Sequence, residues 1–182
     1  GGSEQAVGML AAAAADADED VRLAAAAALP RAAPQKSRRA VCLVAQLATE
    51  DPVVTLRVCA LESMEALAGE GRSRSRTAVH AAARCLEDES AEVRAAADRV
   101  LRSIGRDRRT TVDALAQCLQ HPDEGVRLAA AAVFDIVRGR RERVQLRVIK
   151  LLQHPEEGVR AAAKLAMSSL AEQHEAAPIA VA

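Results

Sequence analysis

The stretch H-P-D-E-G-V-R-L-A-A-A-A-V-F, residues 121–134, decides the fold, because it recurs as H-P-E-E-G-V-R-A-A-A-K-L-A-M at residues 154–167. Both runs open on a polar, acidic turn, pass through a Val-Arg pair and continue as an alanine-rich segment with a large apolar end. Three earlier segments share the plan: D-A-D-E-D-V-R-L-A-A-A-A-A-L from Asp16, D-P-V-V-T-L-R-V-C-A-L-E-S-M from Asp51 and D-E-S-A-E-V-R-A-A-A-D-R-V-L from Asp88. The marker arginines Arg22, Arg57, Arg94, Arg127 and Arg160 lie 35, 37, 33 and 33 residues apart. Self-similarity at a fixed period is the signature of a repeat architecture.

Working outward, each segment is preceded by a second apolar helical stretch: 4–15, 38–48, 75–86, 110–120 and 141–153. Each repeat is therefore a helical hairpin: helix A, a short turn, helix B. Asp18, Ser90 and Asp123 stand four residues before their arginines, at the N-cap position of helix B. Acids crowd that first turn, where the helix dipole favours them. Gly69, Gly105 and Gly139 follow the B helices and suit a helix C-terminus. Apolar positions keep helical spacing: Val93, Ala96, Ala97, Val100, Leu101 and Ile104 in the third repeat, and Val126, Ala129, Ala130, Val133, Phe134 and Val137 in the fourth. One hairpin cannot bury such a face, so neighbours must stack. Repeat two carries Thr55-Leu56-Arg57, and its helix B is expected to start earlier, after Asp51-Pro52.

Composition agrees. Half of the 182 residues are apolar but only one, Phe134, is aromatic, with no Trp or Tyr. Alanine is the best helix former, and alanine-faced helices pack closely, which suits many short helices. Cys42, Cys59, Cys85 and Cys118 are scattered in apolar helical stretches, so buried free thiols in a reducing, cytoplasmic compartment are expected. No run reaches the length of a membrane span, and no cleavable signal is visible. Gly1-Gly2-Ser3 reads as a linker or cloning scar, residues 4–176 as a single solenoid, and 177–182 as an apolar tail. The tail suggests further repeats in a longer chain, or contact with another chain.

The five segments resemble HEAT repeats, in particular the short alanine-rich HEAT-like repeats of phycobilisome lyase relatives, through the pattern D-x-D-x-x-V-R-x-A-A-x-x-A-L. The resemblance covers residues 4 to about 176 and implies an all-α, right-handed α-solenoid of about five hairpins, approximately 4–35, 36–71, 72–106, 107–139 and 140–176. It also implies a ladder in which Asp16, Asp51 and Asp88 pair with the marker arginines. Repeats four and five depart from it, with His121 and His154 at the aspartate position and Asp123 and Glu156 two residues on. HEAT arrays serve many roles, so the family speaks for fold more than for function.

Net charge is zero, with 25 basic and 25 acidic residues, yet the charges segregate. Fourteen acids fall in the turns within repeats and fourteen bases in the turns between them. The basic set includes Arg38, Arg39, Arg72, Arg74 and Arg76, then Arg106, Arg108, Arg109, Arg138, Arg140 and Arg141. Arg38, Arg72, Arg106 and Arg140 recur every 34 residues, so a solenoid would line them along one edge. Two readings stand: a docking strip for an acidic partner, or solvated turns. Arginines at the start of A helices gain nothing from the dipole there. A second candidate surface is the concave face of the B helices, with Leu23, Asp98, Arg99, Arg102, Leu128, Asp135, Lys164 and Leu165, where small alanines between them leave a trough for a partner helix.

Enzymatic readings are weaker. His121 and His154 have no second ligand at metal spacing and read as loop caps, so no metal or cofactor is expected. His80 reads as a partly buried packing residue. The lone His174-Glu175 pair falls short of the several pairs that the HEAT-like di-iron deoxyhypusine hydroxylases need. A bilin lyase or a HEAT-like DNA glycosylase would want aromatic side chains around its ligand, and these are missing. The same lack leaves nucleic acid only phosphate contact, without base stacking. Ser73 or Ser75, between Arg72 and Arg76, could take a phosphate or serve as a loop cap. The sequence therefore predicts a non-catalytic scaffold or adaptor with a protein partner, no membrane insertion, and a place in a longer chain or a larger assembly. A bilin-lyase-like ligand handler and a weak phosphate-backbone binder are the alternatives.

Overall fold

The computed structural model describes residues 3–34, 37–68, 76–105, 109–137 and 141–175, the side chains of 141–145 and 172–175 excepted. Among the described residues every regular element is helical. The chain divides into two compact units, Gly1–Ile104 and Gly105–Ala182.

The first unit holds α1 (Glu4–Ala13), α2 (Glu19–Ala32), α3 (Arg38–Glu50), α4 (Val54–Ala68), α5 (Arg76–Arg84) and α6 (Ala91–Ile104). A single 3-10 turn, Cys85–Glu87, closes α5. These helices form three hairpins, with α2 and α4 packed on one side and α1, α3 and α5 following one another on the other. The second unit repeats the scheme with α7 (Arg109–Cys118), α8 (Glu124–Val133), α9 (Arg141–Leu151) and α10 (Glu157–Glu175); α8 packs on α10 and α7 on α9. Short polar caps start the helices: Ser3 for α1, Asp18 for α2, Ser37 for α3 and Asp123 for α8 accept amides from their first turns. Gly105 directly follows α6, while Gly69 and Gly139 lie outside the described residues.

Small side chains make the seams. Ala25, Ala26, Ala60, Ala96 and Ala97 are buried on the B helices of the first unit, with Leu29, Leu61, Met64 and Leu101 filling between them. The Ser63 hydroxyl, buried in the α2–α4 seam, donates to the Ala26 carbonyl at 2.9 Å. All six apolar positions anticipated on α6 are buried. On α8 and the 3-10 turn Phe134–Ile136 after it, five of the anticipated six are buried; Ala129 is only half-buried. Phe134, the bulkiest, is fully enclosed.

The marker arginine is the fourth residue of every B helix. Its Nη1 donates to the two turn carbonyls six and five residues earlier: Arg22 to Asp16 and Ala17, Arg57 to Asp51 and Pro52, Arg94 to Asp88 and Glu89. Arg127 does the same to His121 and Pro122, and Arg160 to His154 and Pro155, all at 2.6–2.8 Å. Repeat two does not start its B helix early. It begins at Val54, three residues before Arg57 as in the other four, because this clamp ties the helix start to the arginine rather than to Pro52.

The free edge of the guanidinium reaches the next repeat. Arg22 Nε lies 2.8 Å from Asp51 Oδ2, and Arg57 Nε 2.8 Å from Asp88 Oδ2. The aspartate of one turn thus pairs with the arginine of the hairpin before it. Its other oxygen accepts an amide of its own turn, Val53 for Asp51 and Ser90 for Asp88, both at 2.9 Å. Asp16 has the turn bond alone, to Asp18.

Two outcomes follow for unfolding. Arg57→Met removes clamp and rung together, strands the Asp88 carboxylate, and should cost about 3 kcal/mol. Arg160→Met breaks a clamp without a rung and should cost about half that. Urea titrations followed by helical circular dichroism read both, and equal losses would mean that the rung adds nothing. The second outcome concerns acid. Burial pushes the Asp51 carboxyl up, but the hydrogen bonds from Arg22 and Val53 and the charges of Arg22 and Arg57 outweigh it and hold the group low. A carboxyl held low in the folded state contributes stability at neutral pH that is lost as the pH falls below about 4. Asp51→Asn should therefore flatten the decline of the urea midpoint between about pH 5 and about pH 2; an unchanged decline would discount the rung.

Candidate binding surfaces

Two kinds of surface are available in each unit: the outward side of the B helices and the starts of the A helices. On a B helix, the residues one and five places after the marker arginine share a face. In the first unit these are Leu23 and Ala27 on α2, Val58 and Glu62 on α4, and Ala95 and Arg99 on α6; in the second, Leu128 and Ala132 on α8 and Ala161 and Leu165 on α10. Most are small, and Leu128 and Leu165 stand out at 46% and 42% exposed. Arg99 and Glu62 meet across this face at 3.8 Å, both largely in solvent, a pairing of little energetic weight.

The remaining candidates on the B helices sit differently. Asp98 is half-buried, one position closer to the seam, and its two oxygens hold Arg102 Nε at 3.1 and 3.0 Å. The pair is thus engaged with itself along α6. Asp135 is half-buried in the 3-10 turn, and Lys164 is exposed on α10.

Of the basic residues, Arg38, Arg76, Arg109 and Arg141 each form the first residue of an A helix. Arg38, Arg39, Arg76 and Arg109 are exposed. Arg39 lies over Gly8 of α1, so close that a Cβ there would come within 3.4 Å of its Nη1. Arg76 lines a shallow cleft with Thr77, His80 and Arg84 against Gln46, Thr49 and Glu50 of α3. Arg109 is 3.6 Å from Asp113 one turn on. Arg72, Arg74, Arg106, Arg108, Arg138 and Arg140, with Ser73 and Ser75, lie outside the described residues, as does the side chain of Arg141.

Two expectations are corrected. His80 is exposed rather than packed, because it sits on the outward side of α5 while Ala78, Val79, Ala81 and Ala82 take the seam. The thiols are not uniformly buried: Cys85 and Cys118 are, Cys59 is half-buried, and Cys42 is exposed on α3. Burial pushes the Cys85 thiol up to about 12, leaving it protonated and inert. Sequence reading missed Leu146 and Ile149, which are exposed on α9 although both are large and apolar.

The turn histidines replace aspartate as caps. His121 Nδ1 accepts the Asp123 amide at 3.1 Å and His154 Nδ1 the Glu156 amide at 3.2 Å, copying the aspartate turn bond. An imidazole spent this way offers no second acceptor to the preceding hairpin. Arg127 therefore finds only Glu156, at 3.7 Å, and its buried Nε has no hydrogen-bond partner. Gly158 makes room for it, since a Cβ there would fall 2.5 Å from Arg127 Nη2. No group of three or more His, Cys, Asp or Glu among the described residues could hold a metal ion.

Residues 78–146 match a family model described as HEAT repeats. Over these residues the chain is similar to HEAT repeats. In fold, the chain is similar to the Escherichia coli protein YibA (TM-score 0.53, 22% identity, covering 94% of this chain and 65% of that one). It therefore spans 65% of YibA's length. An archaeal HEAT-like repeats protein from Thermococcus onnurineus NA1 is also similar (TM-score 0.55, 17% identity, 93% of this chain and 72% of that one). So is a designed armadillo repeat protein in complex with the peptide (KR)4 (TM-score 0.50, 19% identity, 93% and 87%). At such identities the likeness is one of fold. No curated protein sequence matches the chain.

The substituted rung can be restored. His154→Asp should cap Glu156 with one oxygen and take Arg127 with the other, raising stability by about 1 kcal/mol. A urea midpoint that stays put or drops would show that the second unit is not spaced for a rung.

Proposed function

We propose that this chain is a non-catalytic binding scaffold that holds a protein partner on the outward face of its B helices and on the arginines that begin its A helices. HEAT and armadillo-like repeats are typical of protein-binding scaffolds, because stacking presents an extended face that the fold itself does not consume. The observation that carries the reading is the exposure of Leu128 and Leu165 on the packed pair α8 and α10, set among alanines. Large apolar side chains left in solvent between small ones suit the apolar stripe of a partner helix. Arg38, Arg76 and Arg109 add positive charge at the A-helix starts, which favours a partner with an acidic surface. The designed armadillo repeat protein is in complex with a peptide, which supports a peptide or protein partner here. Among the described residues no helix is long and apolar enough to cross a membrane. The scattered thiols, Cys42 exposed among them, support a reducing compartment such as the cytoplasm.

The test is affinity capture from native extract, read by mass spectrometry, with wild type beside Leu128→Ser/Leu165→Ser and Arg38→Glu/Arg76→Glu/Arg109→Glu. Both variants alter exposed side chains and should keep wild-type helicity and melting. The expected result is a partner retained by wild type and lost by about tenfold or more in the leucine variant. The arginine variant should weaken capture most at low salt. Identical retention by all three chains would remove both surfaces from consideration.

A further inference from the structure

The second unit has another surface that the B-helix reading does not use. Helix α9 turns Val148 and Leu151 inward, yet leaves Leu146 65% and Ile149 46% exposed. Three residues apart on a helix, they share one face. The marker arginines of this unit are 33 residues apart, so the counterparts of Leu146 and Ile149 on α7 are Asp113 and Ala116. Asp113 is charged, and Ala116 is small and 5% exposed. Helix α9 thus carries large apolar side chains where its neighbour has a charge and a methyl group.

The surroundings are positive. A cleft of about 250 Å³ between α7 and α9 is lined by Leu146, Arg109, Asp113, Arg147 and Lys150. Arg147 Nη2 is 3.0 Å and Arg109 Nε 3.6 Å from the Asp113 carboxylate. Two cations thus flank one anion, and Lys150 lines the same cleft. Over its whole length, R-E-R-V-Q-L-R-V-I-K-L, α9 has four basic residues and one acid. Two copies of such a face would bring like charges together, which disfavours self-association.

We propose that the α9 face is a docking surface for an acidic amphipathic helix. Its apolar stripe covers Leu146 and Ile149, and its flanking Asp or Glu side chains meet Lys150, Arg147 and Arg109. Charge complementarity selects the partner and speeds its arrival, while the two apolar side chains supply the contact. Asp113 keeps Arg147 and Arg109 gathered beside the apolar strip before any partner arrives.

The probe is a fluorescein-labelled helical peptide with Leu at positions spaced three and four apart and Glu elsewhere, compared with its twin carrying Lys for Glu. Anisotropy titrations with the full chain should show the Glu peptide binding at least about tenfold tighter than the Lys peptide, with an advantage that shrinks as salt rises. Leu146→Ser/Ile149→Ser should lower affinity for the Glu peptide by about tenfold or more, and Arg147→Glu/Lys150→Glu should reverse the preference. Leu128→Ser/Leu165→Ser, on the B-helix face, is the comparison: a greater loss of Glu-peptide affinity there than in the α9 variant would put the peptide on the B-helix face and overturn the proposal. Failure to bind either peptide, equal binding of both, or undiminished binding by the α9 variants would overturn the proposal. So would a sedimentation dimer that Leu146→Ser/Ile149→Ser converts to monomer, since the face would then belong to a second copy.

Discussion

One guanidinium per repeat holds the structure in register. A side chain on a helix leans toward the N-terminus, so an arginine at the fourth position of a B helix reaches back over the turn that precedes it. Two turn carbonyls there have no helical amide to accept, and Nη1 takes both. The planar fork leaves Nε and Nη2 on its opposite edge, and in the first two repeats that edge faces the next turn. Arg22 and Arg57 use it for Asp51 and Asp88. A lysine could serve the carbonyls or the carboxylate, but it has no rigid second edge with which to join them. In Arg22 and Arg57 local turn closure and the stacking of neighbours are thereby fixed by the same side chain, while the five-fold recurrence of V-R or its equivalent at the head of an alanine run goes with the clamp that all five make.

The apolar part is simpler and depends on the clamp for its alignment. Alanine seams bury little area per residue, so they stabilise only if every helix meets its neighbour in the right register over its whole length. Ser63 bonding to the Ala26 carbonyl shows how close the approach between α2 and α4 is. Phe134 and the leucines fill the few places where the seam widens. Where the turn aspartate becomes His154, the cap survives and the rung to Arg127 does not, because an imidazole nitrogen accepts one bond where a carboxylate accepts several. Arg127, resting on Gly158 with a buried Nε, is the result.

Much of this was legible in the sequence, and the gaps have physical causes. Hairpin positions and B-helix seams could be read because they recur at one period, while the aspartate–arginine kinship came from the resemblance to HEAT repeats. The direction of the pairing could not, since the same period fits an aspartate bonded within its own repeat or to the hairpin before it. Cys42 and His80 were misplaced for a different reason. In an alanine-rich A helix an apolar neighbour is no sign of burial, as alanine is at home on either side. Leu146 and Ile149 escaped notice because apolar residues crowd α9 on all sides, so the pattern alone did not say which would stay in water. Of the candidate site, Leu128, Leu165 and Arg99 stand exposed on the B-helix face, Asp98 and Arg102 are occupied with each other, and much of the basic set falls outside the described residues.

The charges can be divided by what the fold requires of them. Acids in the turns within repeats are accounted for: they cap B helices, oppose the positive end of the dipole and, in Asp51 and Asp88, form rungs. Arginines at the first position of A helices face the same dipole with the wrong sign. Asp113 offsets this for Arg109 one turn on, and Arg39 gains contact with α1 through Gly8, but Arg38 and Arg76 stand exposed at the heads of α3 and α5. A residue type that returns, hairpin after hairpin, to a position where the helix disfavours it needs a source of benefit outside the helix. The acidic partner proposed above would supply one, and it would tie the exposed apolar groups and the basic helix starts to the same kind of partner.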